Sequence, residues 1–170
     1  IQFCENKNAL KISKELELNY KTVKDRFDIF RKKIALFLEH EYNNSIHDYN
    51  EYEEFYYIKE REKKKKKKSL SESINIMGFY SNKKVYTLLM PKIGRRAFDI
   101  EDGFIQYLNW NKIHSLNSHQ TNLNIFWKFL EDNLKKYKGF EEDNFFYYLK
   151  ESEFKFNYTK DEQIEILRNL

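Results

Sequence analysis

The chain of 170 residues contains one cysteine, one proline, four glycines and two tryptophans. A single thiol, Cys4, excludes an internal disulfide framework and any cysteine-based zinc finger, as expected of a reducing cytoplasm. Scarce glycine and proline exclude a collagen-like chain. No apolar run approaches the roughly 18 residues of a membrane span, and no signal-peptide pattern opens the chain. The expected location is therefore cytoplasmic, with no membrane partner. The chain opens at Ile1 rather than at a methionine, so N-terminal residues are expected to be missing. What is abundant is aromatic and charged: 18% and 34% of the residues, beside 41% apolar. That aromatic share argues against disorder. The length suits one ordinary domain plus a small appendage, with a core that needs no staples. Lys, Asn, Ile, Phe and Tyr have A/T-rich codons, a source of basic and aromatic excess independent of function.

The charge is unevenly placed. Residues 1–34 carry nine Lys/Arg against five acids, and residues 35–58 carry six acids and no base. Residues 59–68 (KEREKKKKKK) hold eight bases against two acids, and 69–170 balance at fourteen of each. A polyanion would meet the N-terminal segment and the lysine run first. The plain alternative for that run is a solvated loop.

In the N-terminal segment Ala9, Ile12 and Leu16 recur at helical spacing, and Asn19 offers an N-cap for a second helix. There Val23, Phe27, Phe30 and Ile34 form one apolar stripe, with Lys21, Lys24, Asp25 and Asp28 facing away. The pattern continues through Phe37 and Leu38, to about Tyr42. A short helix, a tight turn at Glu17–Asn19 and a second helix opening N-Y-K-T-V read as a helix-turn-helix. Such a unit lays the start of its second helix in the major groove, so Asn19, Tyr20, Lys21 and Lys24 are candidate DNA contacts. A helical hairpin capping another domain is the alternative.

NEYEEFYYI, from Asn50 to Ile58, reads as a strand with Glu51, Glu53 and Phe55 on one face and Tyr52, Glu54 and Tyr56 on the other. Two acids on one face are tolerated at a sheet edge, or useful beside a cation. SINIMGFY and KKVYTLLM read as two further strands joined by the Ser81–Lys84 turn, with Pro91 ending the second. The three make an antiparallel meander whose first connection is strongly basic. Further on, Asp102-Gly103 ends a short strand or forms a turn. Phe126, Phe129/Leu130, Leu134 and Tyr137 mark an amphipathic helix closed by Gly139. Phe145, Phe146, Leu149 and Phe154 are the expected buried stripe of a last helix, with a helical tail to Leu170. The whole is a mixed α/β chain behind a helical N-terminal module.

Several of these segments, in this order, resemble a known family: the helix-turn-helix, the acid-rich strand, the basic loop, GFYSNKKVYTLL, D-G-F-x-x-Y at 102–107, NLNIFWKFL and LKESEFKFNY at 149–158. Over about residues 5–160 the chain is similar to an insertion-sequence transposase of the DDE class, with a ribonuclease-H-like catalytic domain. Its most specific parts are Asn124-Ile125-Phe126-Trp127, followed by KKYKGF, and Leu149-Lys150-Glu151-x-Glu153-Phe154-x-Phe156-Asn157. The resemblance implies an α/β fold: an N-terminal helix-turn-helix over 1–44, then a small ribonuclease-H-like mixed sheet flanked by helices over 45–170. It implies DNA transposition, with carboxylates holding two Mg²⁺ about 3.5–4 Å apart for strand cleavage and joining. Hard cations take oxygen ligands, which suits acids rather than a cysteine or histidine cluster.

Carried across residue by residue, the first-strand motif V-E-x-D-E-x-Y sets Glu51 on its Glu and Tyr56 on its Tyr, with Glu53 at the first catalytic Asp. Asp102 resembles the second acid, and Asn124 stands at the third position, where members carry Glu or Asn. Glu53 and Asp102 would hold the metal. Lys63, Lys64, Lys65, Lys66, Lys67 and Lys68 would grip the DNA backbone. Glu131 stands where a basic residue is expected, with Lys135 and Lys136 one turn later, and His119 resembles a family histidine. A zinc-ribbon module common in relatives is absent. The implied partners are insertion-element ends and target DNA, with a homodimer as the assembly and the nucleoid as the place. The alternative is a catalytically inactive, transposase-derived DNA-binding protein, and after it a structural interaction domain.

Overall fold

The computed structural model describes residues 1–5, 7–59, 73–91, 121–137 and 140–170. They form a mixed α/β chain: helices α1 (Ala9–Glu15) and α2 (Tyr20–Asn44), strands β1 (Tyr49–Tyr57), β2 (Ile74–Ser81) and β3 (Lys84–Leu89), then helices α3 (Asn122–Leu134), α4 (Phe145–Asn157) and α5 (Lys160–Asn169). They group into two compact units, a helical one (1–48 with 128–170) and a sheet unit (49–127).

In the helical unit, each of the first two helices begins on an asparagine. The Asn8 side chain accepts from the Lys11 N–H, and that of Asn19 from the Lys21 N–H at 2.8 Å. Each such cap satisfies an N–H that the helix leaves orphaned, at about 1 kcal/mol. Between them Glu17 takes a left-handed φ of 54° and the Leu18 N–H donates back to the Ser13 carbonyl, a Schellman closure. The turn therefore falls where Glu17–Asn19 place it. Leu16 is 46% exposed, because α1 has already ended at Glu15 and the stripe begun by Ala9 and Ile12 stops there.

The stripe of α2 is buried at Val23, Phe27, Ile34 and Leu38, and Phe30 packs against the same core beside Phe3, Cys4, Ile12 and Phe154. Each fully buried side chain of this size contributes roughly 1.5–3 kcal/mol. In α4, Phe145, Leu149 and Phe154 are buried as their spacing requires. Phe146 is not: it stays 36% exposed, and the interior turn of α4 is filled instead by Glu151, Ser152 and Glu153.

The sheet has order β1-β2-β3, all antiparallel, so β1 is an edge among the described residues. Asn82 and Lys83, at φ 52° and 63°, make a two-residue turn with both central residues left-handed, which matches the twist of the strands it joins. Register pairs Glu51 with Tyr80, Glu53 with Gly78 and Phe55 with Ile76. Directly paired residues share a face, so Glu51, Glu53 and Phe55 line one face together.

Onto that face α3 lays Leu123 and Trp127. An added Cβ at Gly78 would lie 2.5 Å from the Trp127 ring, so the missing side chain there is what admits the indole. The ring stacks on Phe55 at 4.7 Å and 6°. The expected closure of this helix at Gly139 lies outside the described residues.

Candidate nucleic-acid interface

The acidic face of β1 gains its positive partner from a helix. Glu51 accepts at Oε1 from the Asn122 backbone N–H (3.3 Å) and Nδ2 (2.9 Å), and at Oε2 from the Leu123 N–H (3.1 Å). A carboxylate on the free amides at the start of α3 meets the positive end of the helix dipole. Glu53 accepts from Trp127 Nε1 at 3.0 Å. Burial pushes the Glu53 carboxyl above its ordinary pKa; the indole N–H pulls it partly back, and the Glu51 charge adds to the rise. Glu53 thus holds its proton more tightly than a solvated glutamate does.

Asn124 lies in the first turn of α3, two residues after Asn122, and its N–H donates to Thr121 Oγ1 at 3.1 Å. The elements carrying Glu53 and Asn124 are therefore brought against each other within the sheet unit. Asp102, His119 and Lys63 to Lys68 lie outside the described residues.

The described donors do not by themselves fit Mg²⁺. Both Glu51 oxygens and one Glu53 oxygen already accept hydrogen bonds, and no group of three His, Cys, Asp or Glu among the described residues could hold a metal ion. Magnesium demands near-octahedral oxygen ligation, and here one carboxylate oxygen, Glu53 Oε1, is left to offer.

At the start of α2 the four candidate DNA contacts stand together at the surface. Asn19, Lys21 and Lys24 are exposed and Tyr20 is 49% exposed. The Asn19 carbonyl oxygen is occupied as the cap, which leaves its amide N–H₂ outward. Lys21 and Lys24 make no ion pair with any described residue. The buried Val23 and Phe27 fix which way this turn faces, so the lysines add their charge to the positive helix end.

Sequence reasoning missed a second polar centre in the helical unit. Glu151, wholly buried, accepts from Arg31 Nε (2.7 Å), Lys155 Nζ (2.6 Å) and the Tyr137 hydroxyl (2.7 Å). Burial alone would raise the Glu151 pKa, but Lys155 and Arg31 hold it below the usual carboxylate range. Two signals pointed to it: Arg31 falls four residues after Phe27 on an apolar stripe, and Glu151 and Lys155 are spaced for one helix face.

Comparison with protein-family models, with curated proteins and with solved structures finds no match to the chain. No helix among the described residues is long and apolar enough to cross a membrane.

Proposed function

We propose that the chain is a transposase-derived DNA-binding protein whose α1–α2 pair acts as a helix-turn-helix. The observation that carries this reading is the first turn of α2: a capped, exposed helix start bearing Asn19, Tyr20, Lys21 and Lys24, with the two lysines unpaired among the described residues and the opposite face locked into a core. Lysines meet phosphate oxygens as point charges, while Asn19 and Tyr20 supply hydrogen bonds to base edges or sugar. The basic run Lys63 to Lys68 lies outside the described residues and by its charge would add phosphate contacts of its own, and the protein acts at the nucleoid, as a homodimer.

The test is fluorescence anisotropy of a labelled duplex at ~50 mM salt, where the electrostatic term is strong. Wild type binds and Lys21→Ala weakens it; no binding at that salt removes the reading.

A second reading, strand cleavage and joining as the resemblance implies, is supported by Glu53 Oε1, which makes no hydrogen bond with a described residue on the face that α3 covers with Leu123 and Trp127. Glu53 and Asp102 would then hold Mg²⁺, with Asn124 at the third position. Nicking of an element-end duplex that needs Mg²⁺ and vanishes in Glu53→Ala would establish it. Equal nicking by both proteins would remove it.

A further inference from the structure

The helical unit contains a cavity of about 580 Å³ to which α2 contributes Tyr20, Lys24 and Asp28. Tyr137, Phe140 and Tyr148 line it from the other end of the chain. These three rings make one aromatic wall, with centroids 4.7 Å apart for Tyr137–Tyr148 and 5.4 Å for Phe140–Tyr148. Burial raises the Tyr148 pKa, and the neighbouring Tyr20 is the smallest of the contributions that act on it. The rings are tilted against one another by 51° and 36°, and the Arg31 guanidinium already lies over Tyr148 (4.2 Å) and Tyr137 (5.2 Å), so a base would have to use the ring surface that Arg31 leaves.

The cations that line the cavity differ in what they have left to give. Arg31 is spent: Nε donates to Glu151 and Nη1 to Asp28, both at 2.7 Å. Lys24 and Lys136 have no carboxylate partner among the described residues, and the one hydrogen bond of Lys136 is a 3.3 Å contact to Asn133 Oδ1. Burial and the charge of Lys155 both hold the Lys136 pKa below its ordinary value, so this ammonium would gain from an anion. Glu141, exposed in the lining, is an acceptor for ring amino groups.

We propose that this cavity binds a single nucleotide, its base against the Tyr137–Phe140–Tyr148 wall and Tyr20, its phosphate between Lys24 and Lys136. The proposal rests on the DNA-binding reading of α2, because Tyr20 and Lys24 belong to both surfaces. A base still paired in a duplex cannot enter, since it would first have to leave its stack. The occupant is therefore an unpaired nucleotide of a DNA strand or a free nucleoside monophosphate; the recognising chemistry is the same. Aromatic stacking of one base makes a difference of roughly tenfold or more in affinity.

The experiment uses the full chain with two arms. In the first, anisotropy compares a labelled duplex bearing one unpaired adenine with the same duplex abasic at that position. The unpaired adenine should be preferred by roughly tenfold or more, and Tyr20→Ala, a change at an exposed residue, should abolish the preference. In the second, adenosine monophosphate is titrated into isotope-labelled protein. Saturable shifts are expected at the Tyr137 and Tyr148 amides, and should be lost in Lys136→Ala.

Either positive arm upholds the site and names its source. Equal affinity for the two duplexes together with no shifts overturns it, as does a preference that survives Tyr20→Ala. If both arms fail while a fully paired duplex still binds, the pocket falls and the helix-turn-helix reading stands. Shifts with adenosine monophosphate but no duplex binding keep the pocket and remove that reading.

Discussion

Glu151→Gln keeps the shape of a buried side chain and deletes the charge on which the helical unit turns. Glutamate here answers two cations whose side chains are 4% (Arg31) and 2% (Lys155) exposed. After the substitution Arg31 keeps Asp28, whose own side chain is 42% exposed, as its one carboxylate and the rings of Tyr148 (4.2 Å), Tyr137 (5.2 Å) and Phe27 (5.7 Å), and Lys155 keeps the face of Phe3 at 4.5 Å. Removing one partner of a buried pair costs about 3–5 kcal/mol, because the other charge is stranded. The glutamine oxygen still accepts one hydrogen bond, which places the loss near 3 kcal/mol. For a chain of this size each kcal/mol lowers Tm by roughly 2–4 °C, so the fall should be about 6–12 °C.

Thermal denaturation followed by far-UV circular dichroism reads it, because the helices dominate that signal. The pH profile carries a sign. A carboxyl whose folded pKa lies below its unfolded value stabilises fully above the unfolded value, and that contribution is lost as pH falls through the folded one. Wild type and Glu151→Gln should therefore converge in acid. A triple change, Arg31→Met with Glu151→Leu and Lys155→Met, strands no charge and should cost less than the single one. Glu151→Gln within about 0.5 kcal/mol of wild type, or a triple variant worse than the single, would refute the reasoning.

Gly78→Ala should destabilise the sheet unit by about 1–3 kcal/mol, since the Trp127 ring it meets is pinned by Phe55 and by its bond to Glu53 and cannot swing aside. Tryptophan fluorescence in a urea titration measures it, and an unchanged midpoint would contradict the pinning. Glu53→Gln should be more stable than wild type at about pH 7: a raised carboxyl pKa means stability is lost as pH rises through the folded value, and glutamine escapes that loss while keeping an acceptor for the indole. The advantage should vanish below the ordinary carboxylate pKa, and a pH-independent deficit would count against it. Lys83→Gly should raise stability by about 0.5–1 kcal/mol in thermal melts by relieving a left-handed lysine in the β2–β3 turn; a loss would mean the lysine is held by contacts worth more than its strain.

Local pattern carried most of the elements. The strand alternation put Glu51, Glu53 and Phe55 on one face, and the Asn19 cap and the stripe of Val23, Phe27 and Ile34 marked α2 to within two residues of its end. Long-range pairing was harder to see. Arg31 and Glu151 are 120 positions apart, and nothing local says which acid answers a lone arginine on an apolar stripe. Phe146 shows the converse: at helical spacing it looks buried, yet acids paired to cations occupy the interior of α4. The acids of β1 were legible as a pair in want of a positive partner. That the partner of Glu51 is the start of a helix, rather than a cation, depends on how α3 packs, which spacing along the chain does not encode.

The most direct test of the proposed DNA interface is the salt dependence of duplex affinity for wild type and the Lys21→Ala/Lys24→Ala double variant. Each lysine that neutralises a phosphate contributes roughly one unit to the slope of log K against log salt. The expected result is salt-sensitive binding by wild type and a slope shallower by about two units in the double variant. An unchanged slope, or no affinity at ~50 mM salt, would contradict the claim that the start of α2 grips DNA.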